Sequence, residues 1–132
     1  KMIHVIRQIL VDDSPLTALV PASRISLVMA RQGMQRPYIA VDLEGTLFNR
    51  TNVGISQEVY NVMVYITDTK ISDAWAIQDA VKTALSEFEG AKTVDGVTYT
   101  IAQASLADVV TDAHELHDFY IVTLSFNIFV NP

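Results

Sequence analysis

The sequence predicts an α+β fold: one domain over residues 1–132, built on a mostly antiparallel or mixed β-sheet. One main helix over 72–88 and N-terminal helices pack on one face of that sheet. Three observations predict this. Residues 72–88, SDAWAIQDAVKTALSEF, repeat apolar side chains at the helical period. Residues 58–67 and 120–130 alternate at the strand period. A chain of 132 residues is long enough for one core and short for two.

In the main helix, Ala74, Ile77, Val81, Ala84, Leu85 and Phe88 gather into one apolar stripe, with Asp73, Asp79, Lys82, Ser86 and Glu89 outside it. Ser72 is the expected N-cap, Asp73 suits the positive end of the helix dipole, and Gly90 can take the left-handed conformation that ends a helix. Trp75 falls off the stripe, near Ile71 and beside Asp79 and Lys82. Two readings stand side by side: a ring folded over the start of the helix, or a ring buried under a partner subunit, where tryptophan is favoured.

The rest of the chain follows in order. Ile3, Ile6, Ile9 and Leu10 sit at helical spacing over 2–11. Asp13, Ser14 and Pro15 then open a short second helix through Leu16, Ala18, Leu19 and Val20, closed by Pro21. Residues 24–30 are β-branched enough for a short strand, although they alternate poorly and Met29 also suits a helical fragment. After Pro37, Ile39, Val41 and Leu43 alternate with Tyr38, Ala40, Asp42 and Glu44, a strand with one buried face. That alternation puts Asp42 and Glu44 on one face, in solvent or lining an acidic pore. Residues 45–57 mix turn formers (Asn49, Asn52, Gly54) with apolar Phe48, Val53 and Ile55, the pattern of a long hairpin arm. The glycosylation acceptor spelled by Asn49, Arg50 and Thr51 is common by chance and carries no weight in a chain without secretion signals.

Residues 58–67 are apolar on both faces: Tyr60, Val62, Val64 and Ile66 on one, Val59, Met63 and Tyr65 on the other, interrupted only by Asn61. Such a strand is central, or has its outer face covered by another subunit. Asp95 and Gly96 read as a turn into a strand of Val97, Tyr99 and Ile101. Residues 108–117 are polar and loop-like, and Tyr120, Val122, Leu124, Phe126, Ile128 and Val130 then form the longest alternating run.

Composition narrows the function. Half of the residues are hydrophobic and only 18% are charged, which leaves surface for a partner and makes self-association the default. No apolar run approaches the ~20 residues that span a bilayer, and Arg7 and Gln8 break the apolar start. Without cysteine there is no disulfide, thiolate metal site or cysteine nucleophile. Nine basic against fifteen acidic residues, a net charge of −6, is the wrong sign for gripping a phosphate backbone over a broad face. It suits the wall of a channel that DNA slides past.

Asp112, His114, Glu115, His117 and Asp118 are the one cluster with residue types for catalysis or a metal. His114 and His117 stand three apart, one residue short of the HExxH zinc motif, so with Asp112 they are weak ligand candidates. A solvated loop or a salt-bridged interface is favoured. There is no glycine-rich phosphate loop and no GxSxG elbow, and His4 lies on the first helix without a serine to activate. No catalytic residue, cofactor or metal is assigned, and the protein reads as a non-enzyme.

The order of these pieces resembles the tail completion or tail terminator family of long-tailed double-stranded DNA phages. The likeness is carried by the N-terminal helix, LTALV followed by Arg24 and Ile25, and the Pro37, Tyr38, Ile39 strand start. It continues in VMVYITD feeding AIQDAVKTAL and in the final FYIVTLSF. Residues 25–37 and 45–57 have no clear counterpart. The resemblance implies small α+β subunits that form a hexameric ring, end tail-tube polymerisation and present a surface for head–tail joining. Implied partners are further copies of the chain, the tail tube protein and a head-completion or connector protein, with DNA passing through the lumen unbound. The implied location is the head-proximal end of the virion tail, after assembly in the host cytoplasm. A ring needs two different sticky faces on each subunit. Trp75, Asp79, Lys82, Tyr65 and Met63 are the expected subunit contacts, with Asp42 and Glu44 expected at the lumen. Two alternatives remain at this level: another neck or tail-tube-like component, and a metal-dependent hydrolase using His114, His117 and Asp112.

Overall fold

The computed structural model describes residues 2–27, 36–51, 54–114 and 119–131. The helices are α1 (Met2–Val11), α2 (Ser14–Thr17) and α3 (Ile71–Ser86). The strands are β1 (Ile25–Leu27), β2 (Tyr38–Thr51), β3 (Gly54–Asp68), β4 (Gly90–Val94), β5 (Val97–His114) and β6 (Phe119–Asn131). They form one mixed sheet in the order β1-β2-β3-β6-β5-β4, with β1 parallel to β2 and every other pairing antiparallel.

The core lies between one face of this sheet and the helices. Alternation along β3 and β6 turns Val62, Val64, Ile66, Val122, Leu124, Phe126, Ile128 and Val130 inward, where they pack with Ile6 and Leu10 of α1 and with the predicted stripe of α3. Phe88 closes that stripe from just beyond the helix, half-buried against the core. Burial of this face holds α1 down; polar bonds orient it. Arg7 donates from Nε to the Ile25 carbonyl at 2.7 Å and from a terminal nitrogen to that of Ala22 at 3.4 Å, fastening α1 to the segment leading into β1.

Helix α2 starts as predicted: the Asp13 carboxylate accepts the Leu16 N–H at 3.1 Å, and Pro15 sits in the first turn. It stops sooner than predicted. Leu16 and Val20 are buried, while Leu19 is left 44% exposed.

Helix α3 begins one residue early, and Ser72 is not its cap. The N-cap is Lys70, without a side-chain bond. The first turn is prepared instead by Asp68, buried in the fold, whose Oδ1 accepts the N–H groups of Thr69 at 2.6 Å and Lys70 at 3.4 Å. At the other end Glu87 caps in the right-handed conformation, so the positive φ of Gly90, 121°, serves to turn the chain into β4. Strand β4 itself has no counterpart in the sequence reading. Asp95 and Gly96 both take positive φ, as a two-residue hairpin turn between β4 and β5 requires.

The arm expected at 45–57 is a hairpin: β2 and β3 stay paired down to Thr51 and Gly54. The polar loop expected at 108–117 is mostly strand, because β5 runs on through His114 and pairs with β6 as far as Phe119. Of the strand expected at 24–30, Ile25–Leu27 is present and residues 28–30 lie outside the described residues. Among the described residues no helix is long and apolar enough to cross a membrane.

Candidate assembly surfaces

The molecule presents two unlike sides. On the helix side Trp75 stands 51% exposed, its ring outside the core, with Asp79 and Lys82 exposed along the same stripe of α3. The stripe follows from the helical period: residues four and seven beyond Trp75 share its azimuth.

The other side is the helix-free face of the sheet, and strand register fixes which residues share it. Asp42 lies level with Met63, Ser125 and Asp108. Ala40, Tyr65, Thr123 and Val110 form the next row, and Tyr38, Thr67, Ile121 and Asp112 the one after. Met63 and Tyr65 are half-buried there, and the Tyr65 hydroxyl lies 3.4 Å from the Met63 sulfur. The expected contact residues Met63 and Tyr65 therefore stand directly beside Asp42, expected at the lumen. In these three rows there are three aspartates and neither lysine nor arginine. At the margin, Arg36 lies over the Phe119 ring, 4.5 Å from its centroid.

The regular alternation that set Asp42 and Glu44 on one face is interrupted between them. Leu43 pairs with Val62 and Gly45 with Asn61, so Glu44 sits at a bulge and the alternation breaks there. The Asp42 carboxylate turns back on the chain and accepts the Leu43 N–H at 2.8 Å.

The metal candidates are not assembled by the described residues. Asp112 is exposed on β5, His114 is the last residue of that strand, and His117 lies outside the described residues. Among the described residues no three His, Asp or Glu groups gather as a ligand set.

Two features had no signal in the sequence because their members are far apart in it. Lys92 on β4 bridges to Asp12 at the end of α1, across a groove of about 220 Å³ lined also by Ile9, Asp13, Ala84 and Phe88. The Lys92 hydrogen bond holds the Asp12 carboxyl below its ordinary value, and at this exposure such a pair adds under ~1 kcal/mol. On the helix side of the sheet, Tyr60 donates to Glu58 Oε2 at 2.6 Å and meets the Tyr99 ring edge-on at 6.1 Å.

A six-stranded mixed sheet with helices on one face and a bare, acidic second face defines a class: small α+β domains whose distinctive features are broad surfaces. The family is specific. The model of the family Tail completion protein gp17 matches residues 4–131, so the chain belongs to that family of structural proteins and has a phage tail completion role. A chain from the virion of a native gene transfer agent particle has the same fold, with a TM-score of 0.77 at 19% identity, over 98% of this chain and 93% of that one. No curated protein matches the sequence.

Proposed function

We propose that the protein completes the tail as a closed ring of six identical subunits at the head-proximal end of the virion tail. The ring caps the tube, stops its polymerisation and offers the surface on which a head-completion or connector protein sits. Family membership and the likeness to a virion chain support the setting.

The observation that carries the ring's inner geometry is the helix-free face. A channel for DNA should repel phosphates, and this face sets Asp42, Asp108 and Asp112 among Ser125, Thr123 and other uncharged side chains, with no cation in the same rows. Turned inward, it becomes the channel wall. Met63 and Tyr65 then border the channel beside Asp42, and the contact between subunits falls to Trp75, Asp79 and Lys82 on the helix side and to the margins of the sheet. DNA passes without being held.

Placing cations on the wall tests this. Ser125→Lys with Asp112→Lys leaves the core untouched, and particles built with that variant should assemble normally but release DNA more slowly. Unchanged ejection kinetics in normally assembled particles would mean that this face does not line the channel. Pull-down against the tail tube and head-completion proteins separates a terminator, which binds both, from a neck component that binds a different ring.

A further inference from the structure

Among the described residues the register leaves two long strand edges without a strand partner. There β1 covers β2 at Ile39, Ala40 and Val41, and β4 covers β5 from Val97 to Ile101. Among the described residues, β2 over 42–51 and β5 over 102–114 thus have one edge without a strand partner. The two edges lie on opposite margins of the sheet and towards opposite ends of it.

Both carry the same local device. On β2 the Leu43 N–H donates to the Asp42 carboxylate at 2.8 Å, beside the register shift between Leu43 and Gly45. On β5 the Val109 N–H donates to the Asp108 carboxylate at 2.9 Å, beside the register shift between Leu106 and Asp108. Bulges and charged side chains are how exposed edges are kept from pairing with whatever strand they meet. Two such guards, one on each bare edge, mark both as edges that must be kept closed until the right partner arrives.

We infer that the partner is a second copy: β5 of one subunit adds to β2 of the next, so the sheet continues from subunit to subunit. The inference rests on the ring reading and specifies its contact. Strand directions agree with it, because β2 and β5 run oppositely within the sheet and copies set side by side in one orientation pair antiparallel. The two edges differ, which gives the head-to-tail contact that closes by rotation. Their bare stretches are staggered along the strands by about five residues, ~17 Å at ~3.3 Å per residue, so copies mate over their full length when strands tilt to the ring axis, as they do in closed sheets. Asp42 and Asp108 hold the neighbouring N–H groups until the strands meet.

The absence of native cysteine allows a direct test. Gly45 has open space where a Cβ would stand, so Gly45→Cys can be combined in turn with Ser105→Cys, Val110→Cys and Asp112→Cys, all on the helix-free face by register. Mild oxidation of assembled protein should link subunits into a ladder ending at the closed ring for at least one combination, and each single-cysteine chain should give no ladder. A ring of correct mass without links in any combination overturns the edge contact and leaves the ring reading standing. A chain that stays monomeric with tail tube present overturns both. As a second measurement, Asp42→Ala with Asp108→Ala should lower the concentration needed for assembly, by up to about tenfold for each N–H released. An unchanged midpoint removes the guard role.

Discussion

Replacing Trp75 by alanine separates assembly from folding, and the structure sets the size of both effects. A tryptophan offers roughly 250 Å² to burial, and Trp75 is 51% exposed, so about half of that remains to be covered by a neighbour. At ~25 cal/mol/Å² this is ~3 kcal/mol for each subunit contact, or about a hundredfold in its equilibrium constant. The half already covered lies at the edge of the helix layer, outside the core cluster, and its loss should cost the monomer roughly 1–2 kcal/mol. Mass distribution against concentration measures the first, and urea unfolding of the dilute chain the second. Trp75 is also the only tryptophan, so its emission should shift to the blue as the ring closes. The control is Ile77→Ala, two residues on and so on the buried side of α3 at 2% exposure, which should cost the fold ~2–5 kcal/mol and reach assembly only through folding. The reasoning fails if Trp75→Ala assembles at the wild-type concentration, or if it loses folding and assembly in equal proportion.

Two further outcomes follow from the fold itself. Asp68→Ala should destabilise the chain by about 1–3 kcal/mol in urea titration, because a buried carboxylate that accepts two N–H groups ahead of α3 is lost; Asp68→Asn, which keeps an acceptor oxygen, should retain most of the difference. Tyr60 supplies a pH dependence: burial first, and then its hydrogen bond to Glu58, push its hydroxyl well above the ordinary value of 10.0. The folded state keeps a proton that the unfolded chain gives up, so this contribution is intact below pH ~10 and is lost as pH rises beyond it. Tyr60→Phe should flatten that alkaline loss and remove one late step from the tyrosine absorbance titration; a folded wild-type protein whose tyrosines all ionise together near pH 10 would contradict the assignment.

What the sequence made legible is what the core dictates. The stripe of α3 and the inward residues of β3 and β6 follow from periods of 3.6 and 2, and apart from Tyr120 at the start of β6 the side chains that the periodicity places inward pack in or against the core. The helix start was misplaced because Ser72 has the right chemistry for a cap, while the bonds that prepare α3 come from Asp68, four positions upstream. Strand β4 was missed because a five-residue edge with only alternate half-buried positions has too little apolar signal, and Gly90 was already assigned to the helix. The Lys92–Asp12 and Tyr60–Tyr99 contacts join residues whose proximity exists only after the strands pair.

The errors in the candidate site have physical causes that bear on function. Strand prediction assumes unbroken alternation, and the bulge at Glu44 interrupts its alternation with Asp42. The stretch 108–114 pairs with β6 without a break, and it looks like a loop because its positions on the helix side by register, Val109, Thr111 and Ala113, are only weakly apolar. With no strand beyond it among the described residues, that stretch also needs few apolar residues, and Asp108, Val110, Thr111, Asp112 and Ala113 are all exposed. On the proposed ring, copies join edge to edge, and the breaks beside Asp42 and Asp108 fall where a strand would wait for its partner: β2 and β5 each have one there.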